Sequence, residues 1–250
     1  MLAPHLGRCL RRVRGLLLAR YPAARLDSRG LYLRARSLVL SGDAYRDQGR
    51  LQGPLSAAHT YRQALAVYGD LDIPRRIAQV ELSLTVVTEM GGKLHAAARG
   101  YARLADDERL SGRDRARARL WIGTALSKDG EHDDAARVMA AAAREFEDLV
   151  EAEDWSVAHQ KLALAHRGAG NLAEAQRLIG VASASGTADT PMQKVRLSTA
   201  KAHILLTDTA TWAQGLVLLD DTAQLAQRCG LSHQLQAIES IRLDALSQSG

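Results

Sequence analysis

The sequence contains few aromatic residues and few prolines. Aromatic side chains make up 4% of the 250 residues, phenylalanine occurs once, and there are five prolines. β-Sandwiches and β-barrels need strands rich in aromatic and β-branched residues, whereas the alanine and leucine that dominate here favour helices. The composition therefore predicts an all-α protein.

Cysteine and long apolar runs are also scarce. Cys9 and Cys229 lie near opposite ends of the chain, without the spacing of a disulfide framework or a zinc site. The apolar run at 16–19 is far shorter than the ~20 residues that a membrane span needs, and it lacks a signal-peptide cleavage site. We therefore expect a cytoplasmic protein that does not enter the membrane.

Acidic residues are almost missing from the beginning of the chain. Residues 1–36 hold nine arginines against Asp27 alone, while the whole chain has a net charge of +5, so the remainder is mildly acidic. The arginines of the helical segment predicted at 5–20 lie opposite an apolar face; they are Arg8, Arg11, Arg12 and Arg14. This pattern favours two hypotheses, a capping helix with a solvated arginine face or a basic surface for nucleic acid or an acidic partner.

The stretch LALAHRGAGNLAEA at 162–175 has related copies elsewhere. Each copy has an apolar run, a glycine, a few polar residues, a small residue and then a bulky apolar residue; the copies lie at 84–104, 121–142 and 162–182. The glycines Gly92, Gly130 and Gly170 are 38 and 40 residues apart. Extending the step to 43–65 and 209–223 gives five units of roughly 40 residues.

The physical chemistry of one unit predicts a pair of packed helices. Glycine ends the first helix because it alone enters the left-handed conformation without strain. Acidic residues such as Asp133 and Asp134 suit the positive end of the second helix. Alanine at the crossing lets the two backbones approach closely, and one such hairpin cannot bury its own apolar face. Stacking of successive hairpins is therefore required.

These units resemble tetratricopeptide repeats (TPRs). The small, bulky and alanine positions of that family's second helix match Ala57/Tyr61/Ala64, Ala135/Met139/Ala142 and Ala175/Ile179/Ala182. The period of ~40 residues exceeds the usual ~34 of the family. Longer periods of this kind resemble the TPR regions of bacterial, actinobacterial-like signalling and transcription regulators.

The resemblance implies an all-α, right-handed superhelical solenoid of about five helix-turn-helix hairpins, with a capping helix at each end. We expect one domain over residues 1–250. Its parts are a basic capping helix (1–28), the repeats (29–231) and a C-terminal capping helix (232–250). The hairpins are predicted near 29–69, 74–107, 112–149, 153–184 and 190–229.

No set of residues typical of a catalytic or metal site is visible in the sequence. The acidic clusters fall at predicted helix starts and turns, where capping explains them, and His166 occupies a packing position of its repeat. A phosphate-binding loop and a dinucleotide fingerprint are also missing. We therefore expect no enzyme activity, no metal and no cofactor.

In the TPR family the first helices of the hairpins line a concave groove. Transferred by position, the resemblance implies a groove surface formed by Arg36, Asp43, Arg46, Gln79, Leu82, Glu89, Arg117, Thr124, Lys128, Gln160, Leu164 and Arg167. Such a mixture of cations, amides and apolar groups suits an extended peptide or its carboxylate. The alternative is an ordinary solvated strip of the kind that every solenoid has.

The expected function is that of a non-enzymatic adaptor or regulatory module that binds a protein or peptide in the concave face, in bacterial signalling or transcription regulation. Two alternatives stay open, nucleic-acid binding through the arginine-rich N-terminal helix and sensing of a small molecule in the superhelix. Homodimer formation also stays open.

Overall fold

The computed structural model describes residues 26–185 and 190–248, and these residues form eleven α-helices. The helices are α1 Ser28–Asp47, α2 Ala57–Asp70, α3 Pro74–Met90, α4 Leu94–Ala105, α5 Gly112–Lys128, α6 His132–Asp148, α7 Ala152–Gly168, α8 Leu172–Ala184, α9 Pro191–Leu205, α10 Trp212–Arg228 and α11 Ser232–Gln248. The all-α prediction is confirmed, and the five hairpins lie where the repeat pattern predicts them. The N-terminal helix predicted at 5–20, with its four arginines, lies outside the described residues.

Short polar side chains and prolines determine where most helices begin. Ser56 caps α2 by accepting a hydrogen bond from the amide of His59, and Ser111 caps α5 in the same way through the amide of Asp114. Pro74 and Pro191 occupy the first turns of α3 and α9, where a missing amide hydrogen costs nothing. These four residues therefore mark the beginnings of α2, α3, α5 and α9.

Glycines end the first helices of the first four hairpins, as the sequence predicts. Gly130 follows α5 with φ +92°, and Gly170 follows α7 with φ +81°. Both backbones are in the left-handed region, which disfavours residues with a Cβ atom.

Two glycine-to-alanine substitutions in the fourth hairpin are expected to have opposite effects. No atom lies within 4 Å of a Cβ added at Gly170 or at Gly180, so backbone conformation alone separates the two positions. Gly170→Ala should lower the free energy of unfolding by about 1 kcal/mol, because φ is positive there. Gly180→Ala should raise it by about 0.5–1 kcal/mol, because Gly180 lies inside α8. Urea denaturation measures both changes, and shifts of the same sign would contradict this account.

Small residues at the helix crossings and bulky residues beside them form the core. Ala135 and Ala175 are fully buried, as is Tyr61, and Met139 is 1% exposed. A Cβ on Gly123 of α5 would lie only 2.6 Å from Cγ of Met139, so the two helices of the third hairpin approach closely at that point. The small and bulky positions predicted from the repeat are therefore the ones that pack.

The first helices of the hairpins and α11 form an inner layer whose first and last helices contact each other. Helix α5 contacts α3 and α7, and α9 contacts α7 and α11. Helix α11 also contacts α1, and a Cβ on Gly49, just after α1, would lie 3.6 Å from Nδ1 of His233. The first and last described helices are therefore neighbours, and the inner helices α1, α3, α5, α7, α9 and α11 face a shared interior.

Candidate functional site

Each of the first two hairpins joins an inner-helix carboxylate to a tyrosine of its outer helix. The Tyr61 hydroxyl donates a hydrogen bond of 2.6 Å to Asp43, and the Tyr101 hydroxyl donates one of 2.7 Å to Glu89. Burial raises the pKa of both tyrosine hydroxyls far above the usual range, so they remain protonated donors. These bonds fix the direction of both carboxylates.

Salt bridges and hydrogen bonds connect successive inner helices. Nε2 of Gln79 on α3 donates to the carboxylate of Asp114 on α5 at 3.0 Å. Asp154 on α7 accepts from Arg113 at 2.6 Å and from Arg117 at 2.8 Å, both on α5. Since Asp154 is 8% exposed, these pairs hold the two helices together at their N-terminal ends.

Lys128 lies at the C-terminal end of α5 and pairs with the buried carboxylate of Glu89. Its Nζ atom is 2.7 Å from Oε1 of Glu89, whose side chain is 6% exposed, while the side chain of Lys128 is 49% exposed. Glu89 therefore neutralises a cation that reaches into the interior.

Helices α7 and α9 carry three half-buried cations without an acidic partner among the described residues. Lys161 and Arg196 are half-buried, and neither side chain makes a hydrogen bond or ion pair there. Burial lowers the pKa of Lys161 to about 8; Lys128 and Arg196 add to this, and Glu89 opposes it. The guanidinium of Arg167 donates only to the neutral hydroxyl of Thr207, at 3.2 Å, and its Nε is buried without a partner.

The neighbouring histidine of α9 is held neutral. Burial lowers the pKa of His203 to about 4, and the charge of Arg167 acts in the same direction. At neutral pH the cationic character of this region therefore comes from lysine and arginine.

Titratable groups from all six inner helices come within electrostatic reach of one another. Glu89, Lys128 and Arg196 each act on Lys161, and Asp47 and Arg46 act on Arg196. Burial and, in turn, the charges of Lys128, Arg196 and Arg46 lower the pKa of His233 on α11. We refer to this set as the central charge cluster, which consists of Arg46, Glu89, Lys128, Lys161, Arg196 and His233.

The twelve residues expected in the groove divide into two groups. Half-buried or exposed are Arg36, Asp43, Arg46, Gln79, Arg117, Lys128, Leu164 and Arg167. Less than 9% exposed are Leu82, Glu89, Thr124 and Gln160. The buried group offers a partner little surface, so only the first group is retained in the proposed groove.

The four buried residues each have a structural contact. Leu82 packs in the core with Tyr101. The hydroxyl of Thr124 donates to a carbonyl one turn earlier in its own helix, and Nε2 of Gln160 donates to the carbonyl of Arg196 at 2.9 Å. The bond from Gln160 holds α7 against α9 next to the unpaired cations.

Sequence reasoning misses Lys161, Arg196 and His233. These three residues lie about one repeat apart, which is the signal that would have found them. Lys161 directly follows Gln160, and one residue along a helix changes the direction of a side chain by about 100°.

Neither a metal-binding cluster nor a membrane-spanning helix occurs in the described ranges. In residues 26–185 and 190–248, no three His, Cys, Asp or Glu side chains are grouped so as to hold a metal ion. Over the same ranges, every helix is too short or too polar to cross a lipid bilayer.

Comparison with solved structures shows the TPR-like solenoid fold. The chain is similar to a Rap protein crystallised in complex with Competence and Sporulation Factor, with a TM-score of 0.62 and 16% identity over 87% of this chain. The match spans about two thirds (66%) of the Rap chain.

Two further solved structures have the same fold. BtubC (BKLC) from P. vanneervenii matches with a TM-score of 0.54 and 13% identity over 91% of each chain. The TPR-like repeats of a putative kinesin light chain from Podosopora anserina match with a TM-score of 0.52 and 14% identity, over 78% of this chain and 95% of that one. No protein-family model matches the sequence, and the curated proteins contain no match.

Proposed function

We propose that this chain is a non-enzymatic protein-interaction module that binds an extended peptide segment in the interior formed by its inner helices. The observation that carries the proposal is the convergence of charged and polar side chains from all six inner helices on one interior. A surface that combines cations, amides and apolar side chains such as Leu164 can bind both the backbone and the side chains of a peptide.

The proposal extends to a role in bacterial signalling or transcription regulation. It is supported by the similarity to the Rap protein, which was crystallised with Competence and Sporulation Factor. We further propose that residues 1–250 form one domain in which α11 closes the C-terminal end.

Affinity selection followed by hydrogen exchange tests the proposal. The immobilised full-length chain is incubated with a random dodecapeptide pool, and the retained peptides are sequenced by mass spectrometry. With the best retained peptide bound, slowed amide exchange is expected in α5, α7 and α9 but not on the outer helices α6 and α8. Failure to retain any peptide, or protection confined to the outer helices, would contradict the proposal.

A pair of charge reversals makes this test specific for the interior. Arg167→Glu on inner helix α7 should weaken binding of the selected peptide at least tenfold. Arg144→Glu makes the same change on outer helix α6, where the side chain is exposed, and should leave the affinity within twofold. Equal effects of the two substitutions in a calorimetric titration would count against binding in the interior.

A further inference from the structure

The cations of the central charge cluster fall into a neutralised group and an unpaired group. Arg46 is 3.2 Å from Asp43 and 3.3 Å from Asp47, and Lys128 is paired with Glu89. Lys161, Arg167 and Arg196 have no acidic partner among the described residues. In the central charge cluster the cations of α1 and α5 are therefore paired with carboxylates, and those of α7 and α9 are not.

An unpaired, half-buried cation is costly to the folded protein. Water solvates it only in part, and no carboxylate compensates for the loss. Arginine keeps its charge in such a place, and Lys161 is still mostly protonated at pH 7. An anionic ligand would offset this cost, and binding would gain from charge-assisted hydrogen bonds.

The spacing of these cations fits more than one anionic group. Lys161 and Arg167 are six residues apart on α7, which separates them by roughly 9 Å along the helix axis and by about 120° around it, so one carboxylate cannot contact both. In an extended peptide, residues rise by about 3.3 Å each and side chains two residues apart share a face, so two acidic side chains on one face lie about 7 Å apart. A segment with two acidic side chains can therefore place them beside separate cations.

The beginning of this chain is a poor occupant of that surface. Residues 1–25 contain six arginines and no aspartate or glutamate, so charge opposes their binding beside Lys161 and Arg196. The charge pattern favours a separate acidic molecule.

We propose that the α7–α9 side of the interior, through Lys161, Arg167 and Arg196, binds an acidic peptide segment that carries at least two Asp or Glu side chains. This inference rests on the proposed function and specifies the chemistry of the ligand. Gln160 acts as a positioning residue, because its amide fixes the backbone of Arg196 relative to α7.

The test uses the 250-residue chain and a random dodecapeptide pool with acetylated N-termini and amidated C-termini. With both ends blocked, only side chains can supply negative charge. The peptides retained by the chain should be enriched in sequences with two or more acidic residues. Enrichment of neutral or basic sequences would overturn the inference while leaving the proposed function intact, whereas retention of no peptide from either pool would overturn both.

Variants then assign the binding to the three cations. Lys161→Met, Arg167→Met and Arg196→Met should each reduce the affinity for the best acidic peptide by about tenfold or more, as expected for loss of a charge-assisted bond. Lys201→Met is the matched control, since Lys201 is exposed on α9 outside the cluster, and it should change the affinity less than twofold. Thermal unfolding verifies that each variant is folded, and Arg196→Lys should restore part of the affinity.

Two outcomes would exclude this assignment. Acidic peptides that bind all three Met variants as tightly as the unaltered chain would place their site elsewhere. Inorganic phosphate that binds at Lys161 and Arg196 as tightly as the best peptide would identify a small-anion site instead.

Discussion

Truncation of Phe146 to alanine is expected to lower the free energy of unfolding by about 3–5 kcal/mol. Phe146 is the only phenylalanine in the chain, and its side chain is fully buried in α6. It lies in the core cluster that joins the third and fourth hairpins and includes Leu120 and Ala158. The substitution would leave a cavity where α6 meets α5 and α7.

Urea denaturation followed by circular dichroism measures the loss, and Phe146→Leu provides the control. Leucine keeps much of the apolar volume, so this variant should lose less than half as much stability. In a repeat protein each hairpin is stabilised mainly by its neighbours, so the alanine variant should also broaden the transition by weakening the junction before α7. A loss below about 1 kcal/mol would show that this cluster does not hold the hairpins together.

Local chemistry explains why the sequence predicts the hairpins so well. Gly170 ends a helix because of its own backbone freedom, and Ala175 permits a close crossing because of its own small size. Both properties belong to single residues, and the helix-ending glycine recurs in the first four hairpins. The positions of helices and turns can therefore be predicted from the residue types and their spacing.

The accessible surface of the groove is harder to predict because it depends on how each helix is rotated about its own axis. Leu82 faces the core, while Gln79, three residues earlier, faces α5. Carrying positions over from the TPR pattern cannot resolve such rotations, since a shift of one residue turns a side chain by about 100°. The same limit explains why the repeat pattern indicates Gln160 in place of Lys161.

The meeting of α11 with α1 is beyond sequence reasoning for a different reason. The rotation between successive hairpins is small, and it accumulates over the whole solenoid. A few degrees more or less per repeat would separate His233 from Gly49, and no residue type in the sequence encodes that sum. Residues as distant in sequence as Arg46, Lys128 and His233 therefore share one electrostatic environment only in the folded chain.

Glu89 has two roles, and its substitution is therefore expected to change both the stability of the chain and its affinity for an acidic peptide. Its carboxylate accepts from Tyr101 and pairs with Lys128, so it supports the inner layer. The same charge raises the pKa of Lys161, so it also moderates the cationic surface proposed to bind an acidic segment. A single substitution should therefore affect stability and binding in opposite directions.

Glu89→Gln is expected to lower the free energy of unfolding by about 1–3 kcal/mol, because a buried charge-assisted pair is lost. If the interior binds acidic segments, the same variant should bind the selected acidic peptide about tenfold more tightly. At roughly 10 Å and an effective dielectric constant of about 20, removal of one negative charge is worth about 1.7 kcal/mol to an anionic group. The titration belongs at pH 6.5, well below the pKa of about 8 of Lys161, because loss of Glu89 lowers that pKa.

Glu145→Gln separates the two effects. Glu145 lies on outer helix α6 and pairs with Arg119, so its loss also removes a carboxylate–arginine bond, but one that lies outside the central charge cluster. This variant should lose some stability without any gain in affinity. An equal gain in peptide affinity in both variants would show that the effect comes from the net charge of the chain. Weaker binding of the acidic peptide by the Glu89→Gln variant would contradict the proposed acidic-segment site itself. The selective gain follows only if Glu89 shares the interior with the bound acidic side chains, because only then does removal of its charge remove a repulsion from them.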